Sequence, residues 1–190
     1  MSYFVLYFIL DYKHYMILML MLLNLIIGEY DRSIEYNKKS LKIKLDTLGN
    51  NHPEVAASYN SLGAVYDNKG EYDKAIEYHE KSLEIWLNKL GSDHIYVASS
   101  YNCLGAVYDN KGEYDKAIEY HEKSLEIWLN KLEADHPDVA CSYNNLGLVY
   151  GKKGEYDKAI EYCNKALEIR LNKLEPDHYH VPFSYKNLAL

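Results

Sequence analysis

The chain repeats itself every 42 residues, and no other feature limits its fold as much. Gly28, Gly70, Gly112 and Gly154 recur at that interval, as do His52, His94, His136 and His178, and Gly-Glu-Tyr-Asp follows the same phase four times. Residues 52–93 and 94–135 differ only at Pro53/Ile95, Glu54/Tyr96, Ala57/Ser99, Ser61/Cys103, Gly91/Glu133 and Ser92/Ala134, leaving 36 of 42 positions identical. Sequences this similar must adopt one conformation in every copy. Each copy can then bury its apolar face only by stacking on the next, so the expected product is a linear array.

The pattern within a unit predicts two helices. Val55, Tyr59, Leu62, Val65 and Tyr66 recur at three-and-four spacing, and Gly70 stands where a helix commonly ends in a left-handed residue. This is helix A. Glu71 and Asp73 open the next segment, where negative charge is stabilised by exposed backbone amides. Apolar positions Tyr72, Ala75, Ile76, Leu83, Ile85, Trp86 and Leu90 continue it as helix B. Pro53 and Pro137 fall at the first position of helix A, where a missing amide costs nothing, with Asp135 and His136 as candidate caps before it.

Each hairpin carries Tyr59-x2-Leu62-Gly63-x2-Tyr66 and then Ala75, repeated as Tyr101, Leu104, Gly105, Tyr108, Ala117 and as Tyr143, Leu146, Gly147, Tyr150, Ala159. Gly63 and Ala75 are small enough for close helix approach, and the tyrosines fill the space toward neighbouring helices, which accounts for many of the 21 tyrosines. This signature resembles the tetratricopeptide repeat, and the 42-residue length, eight more than the ordinary unit, resembles the kinesin light chain subgroup. The implied fold is an all-α, right-handed superhelical array of antiparallel helix hairpins. The implied partners are a protein or peptide ligand, with kinesin heavy chain or cargo adaptors as the family's examples. Position 79 departs from the family's large aromatic, holding His79, His121 and then Cys163, and the family's heptad coiled coil is missing from this sequence.

The expected organisation is helix B of a partial repeat at 28–51, full repeats at 52–93, 94–135 and 136–177, and a truncated helix A at 178–190. Residues 1–27 break the period: Met16 to Ile27 is an apolar run where a Tyr-Asn-x-Leu-Gly-like helix belongs. It reads as a degenerate first helix or a misread start. A membrane or targeting role is the lesser alternative, because a spanning helix needs about 20 apolar residues and Asp11 to Tyr15 interrupt the stretch. Arrays of this kind need polar caps at their ends, so an uncovered last helix predicts a fragment of a larger protein, or self-association through the open ends.

Composition narrows the function. With 21 Lys and Arg against 28 Asp and Glu, a net charge of -7 offers no electrostatic footprint for nucleic acid. Three cysteines without Cys-x-x-Cys spacing indicate neither a disulfide framework nor a zinc site, which fits a cytoplasmic setting. The periodic histidines lie one repeat step apart, beyond a shared coordination sphere, so capping explains them better than metal binding. Neither a phosphate-binding Gly-x-x-x-x-Gly-Lys-Ser/Thr loop nor a His-Glu-x-x-His motif occurs. No enzyme and no cofactor are expected.

The inner face of helix A is the candidate site. Counting from Leu62 and Gly63 places Ala57, Asn60, Ala64, Asp67 and Asn68 on it, then Ser99, Asn102, Ala106, Asp109 and Asn110, then Cys141, Asn144, Leu148, Gly151 and Lys152, with Phe183, Lys186 and Leu190 beyond. Asparagine has both donors and acceptors, so Asn60, Asn102 and Asn144 suit the main chain of an extended peptide whatever its side chains. In the family that the sequence resembles, helix A asparagines here contact cargo peptides. The alternative is that these asparagines only bridge helices. Asp67 and Asp109 disfavour an acidic ligand over the first two units. The expected function is a non-enzymatic interaction scaffold, the alternative a regulatory or sensor array belonging to a larger signalling protein or enzyme.

Overall fold

The structure, a computed structural model, describes residues 28–173. Among these residues there are seven helices and no strand: α1 (28–48), α2 (Pro53–Lys69), α3 (Tyr72–Leu90), α4 (Ile95–Lys111), α5 (Tyr114–Lys131), α6 (Pro137–Lys153) and α7 (Tyr156–Lys173). Even-numbered helices are the A helices of the three full repeats, and α3, α5 and α7 are their B partners. The expectations for 1–27 and 178–190 lie outside the described residues.

Each helix A is capped by a histidine, and at α6 the cap is His136 rather than Asp135. Nδ1 of His52, His94 and His136 accepts a hydrogen bond from the amide of Glu54, Tyr96 and Asp138, 3.2 Å in every case. Each ends at a glycine with φ of 81°, 82° or 88°, whose amide bonds back to Asp67, Asp109 or Gly151. A side chain at φ near +80° is strained, so Gly70, Gly112 and Gly154 fix where the hairpin turns. Helix B is less regular: Gly91 closes α3 after Leu90, and Glu133 in its place leaves α5 ending at Lys131. Leu90, expected on the apolar face, is 41% exposed there.

Burial repeats with the sequence. Val55, Ala56 and Leu62, Val97, Ala98 and Leu104, and Val139, Ala140 and Leu146 are all fully buried. Each helix packs on its chain neighbours, and α2 also touches α4. In each hairpin two tyrosines stack at 5.4 Å between centroids, Tyr66 on Tyr78, Tyr108 on Tyr120 and Tyr150 on Tyr162.

Ion pairs hold the stacking register. Lys111, in the last turn of α4, reaches Asp73 on the preceding helix B at 2.9 Å and Glu113 at 2.6 Å, and Lys153 repeats this with Asp115 at 2.8 Å and Glu155 at 2.6 Å. Lys69 does the same with Asp31 and Glu71. These carboxylates hold the lysine ammonium groups above their ordinary pKa. The pairs are solvent-exposed, so they specify alignment more than they stabilise.

Candidate binding face on the A helices

Two helices that approach closely need a small residue at the crossing, and the crossing residue here is a glycine facing position 79, 121 or 163. A β-carbon on Gly63 would lie 2.7 Å from the His79 ring, on Gly105 2.8 Å from His121, and on Gly147 2.6 Å from Cys163 Sγ. His79 and His121 are 2% exposed. Burial lowers the pKa of each to about 4, so both rings are neutral near pH 7; at His121 the Asp109 carboxylate opposes the shift. Each ring reaches across the hairpin to an asparagine: His79 Nδ1 is 2.8 Å from Asn60 Oδ1 and His121 Nδ1 is 3.0 Å from Asn102 Oδ1.

The A helices are joined side by side through polar groups. Asn145 Nδ2 donates to Asn102 Oδ1 at 3.0 Å, Asn110 Nδ2 donates to both oxygens of Asp67 at 3.0 and 3.1 Å, and Lys152 Nζ donates to Asp109 Oδ2 at 2.7 Å. Asp109 Oδ1 is buried and has no hydrogen-bond partner among the described residues. These rungs run from residue i to residue i+43, which places the three A helices next to one another on one face.

The tetratricopeptide repeat family profile matches residues 21–88, 58–130, 96–172 and 138–190, overlapping spans that together run from 21 to the last residue. The chain belongs to the tetratricopeptide repeat family. Tetratricopeptide arrays are protein-interaction scaffolds, and the array is of the kinesin light chain-like kind. A similar solved structure is BtubC (BKLC) from P. vanneervenii, 29% identical with a TM-score of 0.71, covering 80% of this chain and 61% of BtubC. The chain therefore spans less than two thirds of that protein. A second is a Podosopora anserina protein assigned as a kinesin light chain with nearly identical TPR-like repeats, 26% identical with a TM-score of 0.73, covering 85% of this chain and 77% of that one. A single-residue variant of that protein gives a TM-score of 0.74 at 26% identity, covering 85% of this chain and 76% of that one. No curated protein matches the sequence.

The tetratricopeptide A helices expose one stripe each: Ala57, Ser61, Ala64 and Asn68 on α2, Ser99, Cys103, Ala106 and Asn110 on α4, and Cys141, Asn145, Leu148 and Lys152 on α6, exposed or half-buried throughout. Of the residues expected on the inner face, Ala64, Asn68, Asn110 and Lys152 are exposed, and Asn60, Asp67, Asn102, Ala106, Asp109 and Leu148 are half-buried. Asn144 is 4% exposed, and Lys186 lies outside the described residues. Ser61, Cys103 and Asn145 were missed by the count from Leu62, although the spacing i, i+4, i+7, i+11 from Ala57 contains them.

The repeats diverge along this stripe. Between α4 and α6 all four stripe positions change, together with Asp109/Gly151 beside it and Ile95/Pro137 and Tyr96/Asp138 at the helix start, while every buried residue is kept. Exposure alone does not explain this. Of the nine exposed residues on α5, only Glu122 differs in α7, where Asn164 takes its place.

No three His, Cys, Asp or Glu side chains come together as a metal site among the described residues, and no described helix is long and apolar enough to cross a membrane.

Proposed function

We propose that the chain is a non-enzymatic, cytoplasmic scaffold that holds a peptide or protein segment along the A helices, in the manner of a kinesin light chain cargo domain. The divergence of the stripe carries the reading. Successive A helices that keep every buried residue but vary the residues of one face are varied where a ligand is read; helix B also changes, at His121/Cys163, Glu122/Asn164, Ser124/Ala166 and Trp128/Arg170, but only Glu122 among those is exposed on α5. The rungs bear on ligand charge: Lys152 neutralises Asp109, and Asp67 retains its charge against the amide of Asn110. A basic or neutral segment suits this face better than an acidic one. Kinesin heavy chain and cargo adaptors are the partners that family likeness suggests, and a second copy joined end to end is the remaining candidate.

Displayed random 12-residue peptides selected on the full 190-residue chain test the proposal. Selected peptides should be neutral or basic and should lose binding to Ala106→Arg, which puts a long cation on the stripe. They should bind Glu126→Arg, on the outer helix, as they bind the parent. Equal loss in both variants, or none in Ala106→Arg, would remove the A helices from the site.

A further inference from the structure

We infer that His79 and His121 are positioning residues for the binding face: each holds the side-chain amide of Asn60 or Asn102 by its oxygen and leaves the NH2 edge turned outward, to donate to main-chain carbonyls of a bound extended segment. This deepens the proposed function and rests on it.

A neutral imidazole has one N–H, and Nδ1 of both rings lies within hydrogen-bond distance of an asparagine oxygen. In the second repeat Asn145 Nδ2 converges on the same Oδ1. An amide oxygen has two lone pairs, so Asn102 Oδ1 accepts from both, which puts the imidazole proton on Nδ1. The trigonal amide then directs Nδ2 away from the ring. None of the hydrogen bonds among the described residues uses Nδ2 of Asn60 or Asn102, and both side chains are half-buried at the edge of the stripe. Each ring is itself enclosed, 2% exposed and pressed flat against Gly63 or Gly105.

The third repeat supplies the contrast. Cys163 takes the histidine's place against Gly147, and a thiol is a weak donor. There the matching asparagine, Asn144, is 4% exposed. Where the histidine is present the asparagine is half-buried, and where it is replaced the asparagine is buried. A ligand main chain therefore meets oriented donors in the first two repeats, Asn60 and Asn102, and side-chain chemistry from Leu148 and Lys152 in the third.

Two measurements on the full chain test this, the first without ligand. Nitrogen-15 NMR of the histidine rings should show the Nδ1-protonated tautomer for His79 and His121; the Nε2-protonated tautomer, with Nδ1 accepting from the amide, would overturn the inference. The second uses one 12-residue peptide selected on the parent chain. The double variant His79→Cys, His121→Cys uses a residue that the array already carries at this place, and should bind that peptide about tenfold more weakly with unchanged helical content. The double variant His79→Asn, His121→Asn keeps an N–H near the Nδ1 position and should recover binding to within about threefold of the parent. Parent-like binding by the cysteine variant, or no recovery by the asparagine variant, overturns the positioning role. Failure of the parent to select any peptide would instead overturn the underlying function, with the tautomer result unaffected.

Discussion

Adding one methyl group at Gly105 should destabilise the fold through the His121 ring that it meets. A β-carbon there lies 2.8 Å from His121 Cε1 and Nδ1 and 2.9 Å from Cγ. Carbon atoms rest about 3.5 to 4.0 Å apart, so the ring must retreat by roughly 0.7 Å or more. It has nowhere to go, being 2% exposed, and its 3.0 Å link to Asn102 breaks as it moves. Overpacking costs about 1 to 3 kcal/mol and the lost hydrogen bond about 0.5 to 1.5, against about 1 kcal/mol gained by alanine over glycine in a helix. The net loss for Gly105→Ala is about 2 kcal/mol, or about 4 to 8 °C in melting temperature for a chain of this size. Urea titration followed by far-ultraviolet circular dichroism measures it. The cause is isolated by repeating the substitution in a His121→Ala background, where the ring is gone and the penalty should shrink by about 1 to 2 kcal/mol. An equal cost in both backgrounds would refute the reasoning and move the clash to the helix backbone.

Acidification should destabilise the fold before most carboxylates titrate. His79 and His121 have pKa values of about 4 in the folded chain against 6.5 for the free side chain, so the unfolded chain binds protons first. Their contribution is fully present above about pH 6.5 and is lost as pH falls toward 4, by at most about 3 kcal/mol each, and replacing both by cysteine should flatten the denaturation midpoint across that window. Gly70→Ala places a β-carbon at φ 81° with open space around it, so the cost is backbone strain alone, about 1 kcal/mol, read as a melting temperature about 2 to 4 °C lower. Lys111→Ala removes a bridge between successive repeats, and its small effect on the urea midpoint should vanish in about 1 M salt, where exposed pairs are screened.

The hairpin architecture was legible because period, helix spacing and hairpin turns all act within one unit. Gly70 and its copies end helix A whatever surrounds them, and Pro53 and Pro137 stand at its start. The helix B ends were harder to read: α3 and α5 differ by one residue through Gly91/Glu133, a change that the apolar pattern does not register. The cap was ambiguous between Asp135 and His136 for a related reason, since both residue types accept hydrogen bonds and only backbone geometry chooses His136.

The candidate binding face was only partly legible, and the missing part has one physical character. Stripe positions follow from helical arithmetic, so Ala64, Asn68, Asn110 and Lys152 were within reach of the sequence, and Ser61, Cys103 and Asn145 would have been found from a different starting residue. Partnerships across helices do not follow from arithmetic. Asn60 and His79 are 19 residues apart on different helices, and their 2.8 Å contact depends on how far Gly63 lets those helices approach. Sequence reading therefore saw His79 as a departure from the family's large aromatic and gave Asn60 a ligand role, when the geometry makes them one unit. The same close approach explains why these functions are coupled: a residue larger than glycine at 63 or 105 would displace the ring, and with it the amide that the ring holds. In this array the small residue that lets the hairpin close also sets the orientation of the donors on its surface, so stability and recognition should fail together at Gly63 and Gly105. At the stripe itself, where Ala57, Ala64 and their copies are exposed or half-buried, recognition should change while stability holds.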